Sequence, residues 1–112
     1  MKRNHQCVAM GEMLLVNLDP TIGGEIKKTR PCVVISPDEM NKYLKTVVTA
    51  PMTTSSKNYP TRVEIKHDNK MGWVVLDQIR TIDKQRLIRK LGQLSKPELK
   101  EVKAVIKETF VD

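Results

Sequence analysis

What most constrains this chain is a series of short apolar runs, each too brief for a core helix, followed by one helical segment. Met13–Leu18 and Pro31–Ser36 are rich in branched apolar residues and read as strands. Lys45–Ala50 is a third, ended by Pro51, which has no N–H to give a central ladder. Thr61–Lys66 alternates, with Val63 and Ile65 on one side and Arg62, Glu64 and Lys66 on the other. His67–Lys70 reads as a turn, and Gly72–Ile79 as a further strand. Pro37–Asn41 has turn or helix-start chemistry. Ile82–Arg89 is expected as a short helix, with a short extended piece over Leu91–Leu94.

The last element has the clearest local signal. Ser95-Lys-Pro-Glu98 matches a capping box, with Ser95 as N-cap and Pro97 in the first turn. Leu99, Val102, Ile106 and Phe110 recur at helical spacing and predict one apolar face. The fold class is therefore mainly β (α+β): a small twisted barrel or half-open sheet with a C-terminal amphipathic helix packed on it. Residues 1–10 are expected to be a flexible extension, and 11–112 a single domain.

Charge narrows the function classes. A formal net charge of +7 on 112 residues favours a polyanionic partner, either nucleic acid or an acidic protein. No apolar run approaches the ~20 residues of a membrane span, and residues 1–10 lack the apolar segment of a signal peptide. Cys7 and Cys32 make no disulfide framework and are expected as free thiols of a cytoplasmic protein. His5 and His67 sit at no metal-ligand spacing, so neither metal nor cofactor is expected. Chemistry that needs no metal points to RNA, whose 2′-hydroxyl is its own nucleophile.

The loop Pro20–Pro31, between the first two strands, is the natural place for such chemistry. Gly23-Gly24 lets the backbone bend or approach a ligand. Arg30 enters a strand, and its guanidinium could grip two phosphate oxygens and stabilise phosphorane charge. Glu25 is a candidate base, or else a partner for Lys27 or Lys28. Thr53 and Thr54 offer hydroxyls to a phosphate or to the 2′-OH, or else shape a turn. Asp77 and Gln78 interrupt an apolar run and are either structural anchors or RNA contacts.

The order of motifs, Leu18-Asp-Pro-Thr21, Gly24-Glu25, Thr29-Arg-Pro-Cys-Val-Val34, Ala50-Pro-Met-Thr-Thr54 and Leu76–Asp83, resembles the MazF/PemK/Kid toxin family from Gly11 onward. The resemblance implies a homodimeric Src-homology-3-like barrel of the CcdB/PemK type. It implies a metal-independent, sequence-specific endoribonuclease that cuts single-stranded mRNA, leaving a 2′,3′-cyclic phosphate and a 5′-hydroxyl. An acidic MazE-like antitoxin is the implied protein partner. By motif position, Arg30, Thr53 and Glu25 are the implied catalytic residues. Thr21, Lys27, Lys28, Thr54, Lys57, Asp77 and Gln78 are the RNA-binding candidates. Kid-like members have a histidine where Gly24 stands and an arginine where Val75 stands. Their acid–base assignment does not transfer, whereas the arginine–threonine variant does.

Two other classes compete. A CcdB-like gyrase poison shares the fold type but relies on an aromatic, apolar C-terminal tail, whereas this chain ends Phe110-Val-Asp112. A non-catalytic basic RNA-binding barrel would need no Arg30–Thr53 pair.

Overall fold

The computed structural model describes residues 8–18, 29–55 and 58–111. Its strands are β1 (Glu12–Asn17), β2 (Thr29–Val34), β3 (Thr46–Thr53), β4 (Arg62–His67), β5 (Lys70–Val75), β6 (Arg80–Asp83) and β7 (Leu87–Gln93). Helix α1 (Asp38–Tyr43) joins β2 to β3, and α2 (Lys96–Ile106) follows β7. The sheet runs β4-β5-β3-β2-β1-β7, and β6 pairs with β3 off that path. The result is a curled, half-barrel sheet with one C-terminal helix, as the sequence predicts.

Both faces of the central strands are covered, which explains why their sequences are not alternating. Met13 of β1, Val33 of β2 and Ile35 just after it join a core completed by Val102 and Val105 of α2. Leu14, Val16, Cys32 and Val34 point the other way, into a second core with Val47, Ile82 and Leu87. β4 lies at an edge and does alternate: Val63 and Ile65 are buried while Glu64 and Lys66 are exposed. Packing begins before Gly11, because Val8 is buried in the second core and the Ala9 N–H donates to Glu12 Oε1 at 3.0 Å. Gly11 has φ +90°, a left-handed conformation that glycine adopts without steric cost. Its N–H donates to Val34 and its carbonyl accepts from Leu94, so it ties the ends of β2 and β7 together.

The expected capping box is present. Ser95 Oγ accepts from the Glu98 N–H at 3.2 Å, and Glu98 Oε1 accepts from the Ser95 N–H at 2.9 Å. Glu98 Oε2 also accepts from the Lys66 N–H of edge strand β4 at 2.8 Å, so one carboxylate caps the helix and closes the sheet edge. The apolar face ends sooner than expected. Phe110 is 57% exposed, because the wider closing turn Lys107–Val111 changes the angular spacing of side chains.

Three segments depart from the sequence reading. Pro51 does not end β3, which continues to Thr53. Val48 uses its N–H and its carbonyl toward the end of β2, so the alternating backbone directs Pro51 to the opposite edge. There β3 changes partner, from β6 through Thr49 to β5 from Met52, and the missing donor falls in the gap. The strand expected over Gly72–Ile79 stops at Val75, where the chain turns through Leu76–Gln78. Ile82–Arg89 holds only one 3₁₀ turn, Lys84–Arg86, capped by Asp83 Oδ1 accepting from the Gln85 N–H at 2.8 Å. The flanking residues are strands because β3 and β1 each take an antiparallel partner from them.

No helix among the described residues is long and apolar enough to cross a membrane.

Candidate nucleic-acid interface

Cross-strand register decides which side chains meet. Cys32 of β2 is opposite Pro51 of β3. The β2–β3 pairing runs from Val34–Thr49 to Cys32–Pro51, and Arg30 and Thr53 each lie two residues beyond its end, on the strand faces of Cys32 and Pro51. Arg30 and Thr53 both line a groove of about 460 Å³, together with Thr54. Pro31, Met52, Ile65, Met71 and Leu91 make its surface largely apolar, with His67, Asp68 and Lys70 bringing polar groups.

The hairpin that walls this groove is set by local chemistry. Asp68 and Asn69 have φ of +53° and +61°, as a two-residue type I′ turn requires and as Asp and Asn tolerate. Asp68 Oδ2 lies 3.4 Å from His67 Nε2. At Gly72 a Cβ would stand 3.3 Å from the Thr53 carbonyl oxygen, so glycine lets β5 lie close under the threonine. The Thr53 hydroxyl accepts from the Ser55 N–H at 3.1 Å and donates to the Ser55 carbonyl at 3.2 Å. The turn-forming part expected of this threonine is therefore real, and the same bond fixes its oxygen. Rotation about the C–O bond would let its proton exchange the Ser55 carbonyl for a ligand oxygen.

A second groove of about 380 Å³ adjoins the first, and Arg30 borders both. It is lined by Arg30, Cys32, Thr49, Pro51, Gln78 and Arg80, with Leu18 and Ile79. Thr49 is paired with Arg80 across β3 and β6, and its hydroxyl donates to the Arg80 carbonyl at 3.1 Å. Burial pushes the Cys32 thiol up to about 11, against opposing influences from Thr49 and from the Arg30 and Arg80 charges.

Asp77, expected at an RNA surface or as an anchor, lines neither groove. Its Oδ1 accepts from Thr61 Oγ1 at 2.8 Å and from Arg62 Nε at 3.3 Å. Arg62 beside it holds the carboxyl below the ordinary aspartate range. The Arg62 guanidinium lies 4.9 Å from the Tyr59 ring centre. This cluster pins the Leu76–Gln78 turn, which presents Gln78 to the second groove. Of the remaining candidates, Thr21, Glu25, Lys27, Lys28 and Lys57 lie outside the described residues.

The sequence does not single out Arg80 or His67 as site residues. The available signal for Arg80 is the alternation of Arg80-Thr-Ile-Asp83, which the helical reading of Ile82–Arg89 obscures. For His67 it is its place at the turn between two strands.

Known proteins share this architecture. Residues 9–110 match the family of PemK-like, MazF-like toxins of type II toxin–antitoxin systems. The chain is 40% identical over 102 residues to Endoribonuclease MazF of Staphylococcus saprophyticus, covering 86% of this chain and 85% of that one. A mycobacterial endoribonuclease solved with its cognate antitoxin has the same fold, with a TM-score of 0.79 at 20% identity over 91% of this chain and 93% of that one. MazF from Deinococcus radiodurans superposes with a TM-score of 0.73 at 26% identity, covering 90% and 94%. The chain belongs to the PemK-like, MazF-like toxins of type II toxin–antitoxin systems.

Proposed function

We propose that this toxin is an endoribonuclease that cuts single-stranded mRNA at defined sequences without a metal, and so inhibits translation and growth. The observation that carries the reading is the meeting of Arg30 and Thr53 in one groove, each two residues beyond the paired stretch of neighbouring strands β2 and β3. The 2′-oxygen next to the scissile phosphate attacks phosphorus, and the 5′-oxygen leaves. The products are a 2′,3′-cyclic phosphate and a 5′-hydroxyl.

Charge builds on the non-bridging oxygens in the transition state. Arg30 is placed to stabilise it with a planar, permanently charged donor, and Thr53 to give one further hydrogen bond. Arg30 serves as a fixed charge and not as a proton shuttle. Glu25 is the proposed partner for proton transfer. The basic character of the chain suits the RNA and equally an acidic MazE-like antitoxin competing for the same surface. A homodimer in the cytoplasm completes the reading.

The test is incubation of purified protein with a long RNA in excess EDTA, with ends mapped by primer extension. Cuts at recurring sequences carrying cyclic-phosphate ends are expected. Intact RNA, or cleavage that stops when metal is chelated, would overturn the reading.

A further inference from the structure

The second groove holds two guanidinium-bearing residues on one side of the sheet. Arg30 and Cys32 project from β2 to the same side, since alternate residues of a strand share a face. Pro51 opposes Cys32 on β3, Thr49 shares the face of Pro51, and Arg80 of β6 opposes Thr49. Both arginines are exposed, and both act electrostatically on the Cys32 thiol beneath them. Among the described residues, neither guanidinium has an ion pair or a side-chain hydrogen bond. Two cations that border one groove, with no counter-charge among the described residues, favour an anion within it.

We propose that Arg30, Arg80 and the Gln78 amide form a second phosphate subsite, which holds one phosphodiester flanking the scissile one. The proposal rests on the endoribonuclease reading and deepens it. Arg30 borders both grooves, so an RNA backbone passing over it brings consecutive phosphates to either side. Arg80 is then a binding residue that sets the register of the strand, while Arg30 acts on the reacting phosphate. An acidic peptide could satisfy the same charges. The backbone of RNA is favoured because the groove adjoins the Arg30–Thr53 pair and because planar guanidiniums suit the paired oxygens of a phosphodiester.

The experiment uses a short RNA spanning one mapped cut site. In copies of it, one flanking phosphodiester at a time is replaced by a neutral methylphosphonate. Arg80→Gln is expected to raise KM about tenfold, the effect of losing a charged hydrogen-bonded contact, with kcat held within about twofold. The slope of log affinity against log salt should fall by about 0.7, the value for one phosphate on a single strand. One of the neutral substitutions should weaken the wild type and leave Arg80→Gln unaffected. Arg80→Lys should restore the salt slope but only part of the affinity, because an ammonium lacks the two-pronged grip. An unchanged KM, or equal losses on every RNA of the set, would overturn the subsite. So would an RNA affinity that is unchanged while binding of an acidic antitoxin peptide weakens. If the wild type cuts no RNA, the parent reading fails instead. The same RNA set titrated for binding then still decides whether Arg80 holds a phosphate.

Discussion

Arg80 and Lys84 are cations four residues apart on one stretch of chain, and they live in opposite circumstances. Lys84 is 6% exposed, and its ammonium donates to the Asn41 carbonyl in the last turn of α1. A cation there complements the negative end of the short helix. Asn41 is itself fully buried and donates to the Ser36 carbonyl at 2.9 Å. Ser36 Oγ in turn accepts from the Val48 N–H at 3.0 Å. Arg80, like Arg30, is exposed and has no side-chain partner among the described residues. A polar group whose partners are supplied by the chain specifies the fold, since leaving it unmet in the interior is costly. One left unmet beside a groove contributes little to the fold and is available to a ligand. The +7 charge is therefore shared unequally: part of it holds the protein together and part faces its partners.

The comparison can be broken by exchanging the two kinds of loss. The largest effect is expected at Arg30. Arg30→Ala should lower kcat by about 10²- to 10³-fold, while thermal unfolding moves by less than about 0.5 kcal/mol, as for an exposed side chain. An equal loss in binding and turnover would make Arg30 a binding residue only. Next comes Lys84→Ala, expected to cost about 2–3 kcal/mol in urea unfolding, because it orphans a buried carbonyl and leaves a void. Turnover per folded molecule should stay at the wild-type level. A variant as stable as the wild type would remove Lys84 from the structural group.

The smallest effect belongs to Asp77, which the structure makes an anchor for Arg62 and Thr61. Its folded-state pKa is lowered, so the pair stabilises the protein above the ordinary aspartate range and loses that contribution as pH falls through and below it. Exposure keeps the contribution under about 1 kcal/mol. Asp77→Asn should therefore melt slightly lower than the wild type at neutral pH, and the gap should narrow at acid pH. A gap independent of pH would mean that Asp77 acts through its hydrogen-bond geometry alone.

Local chemistry is legible in the sequence alone. The capping box at Ser95 and Glu98 is written in nearby residues, as are the alternation of Arg62–Lys66 and the turn at Asp68–Asn69. Each depends on neighbours in the chain, so three-dimensional context adds little. The motif around Arg30 and Thr53 is equally visible, and so is the polar interruption made by Asp77 and Gln78.

Tertiary structure alone decides the rest. Whether Pro51 breaks β3 depends on which edge its nitrogen faces and which partner is absent there. Whether Ile82–Arg89 coils or extends depends on β3 and β1 accepting partners, which no local propensity encodes. Arg30 and Thr53 lie in separate motifs, and only the pairing of β2 with β3 brings both to one groove. Arg80 comes to the adjoining groove beside Arg30 from a third strand. Bonding along the chain reaches a few residues, whereas a groove is made by strands whose pairing is settled only when both cores close.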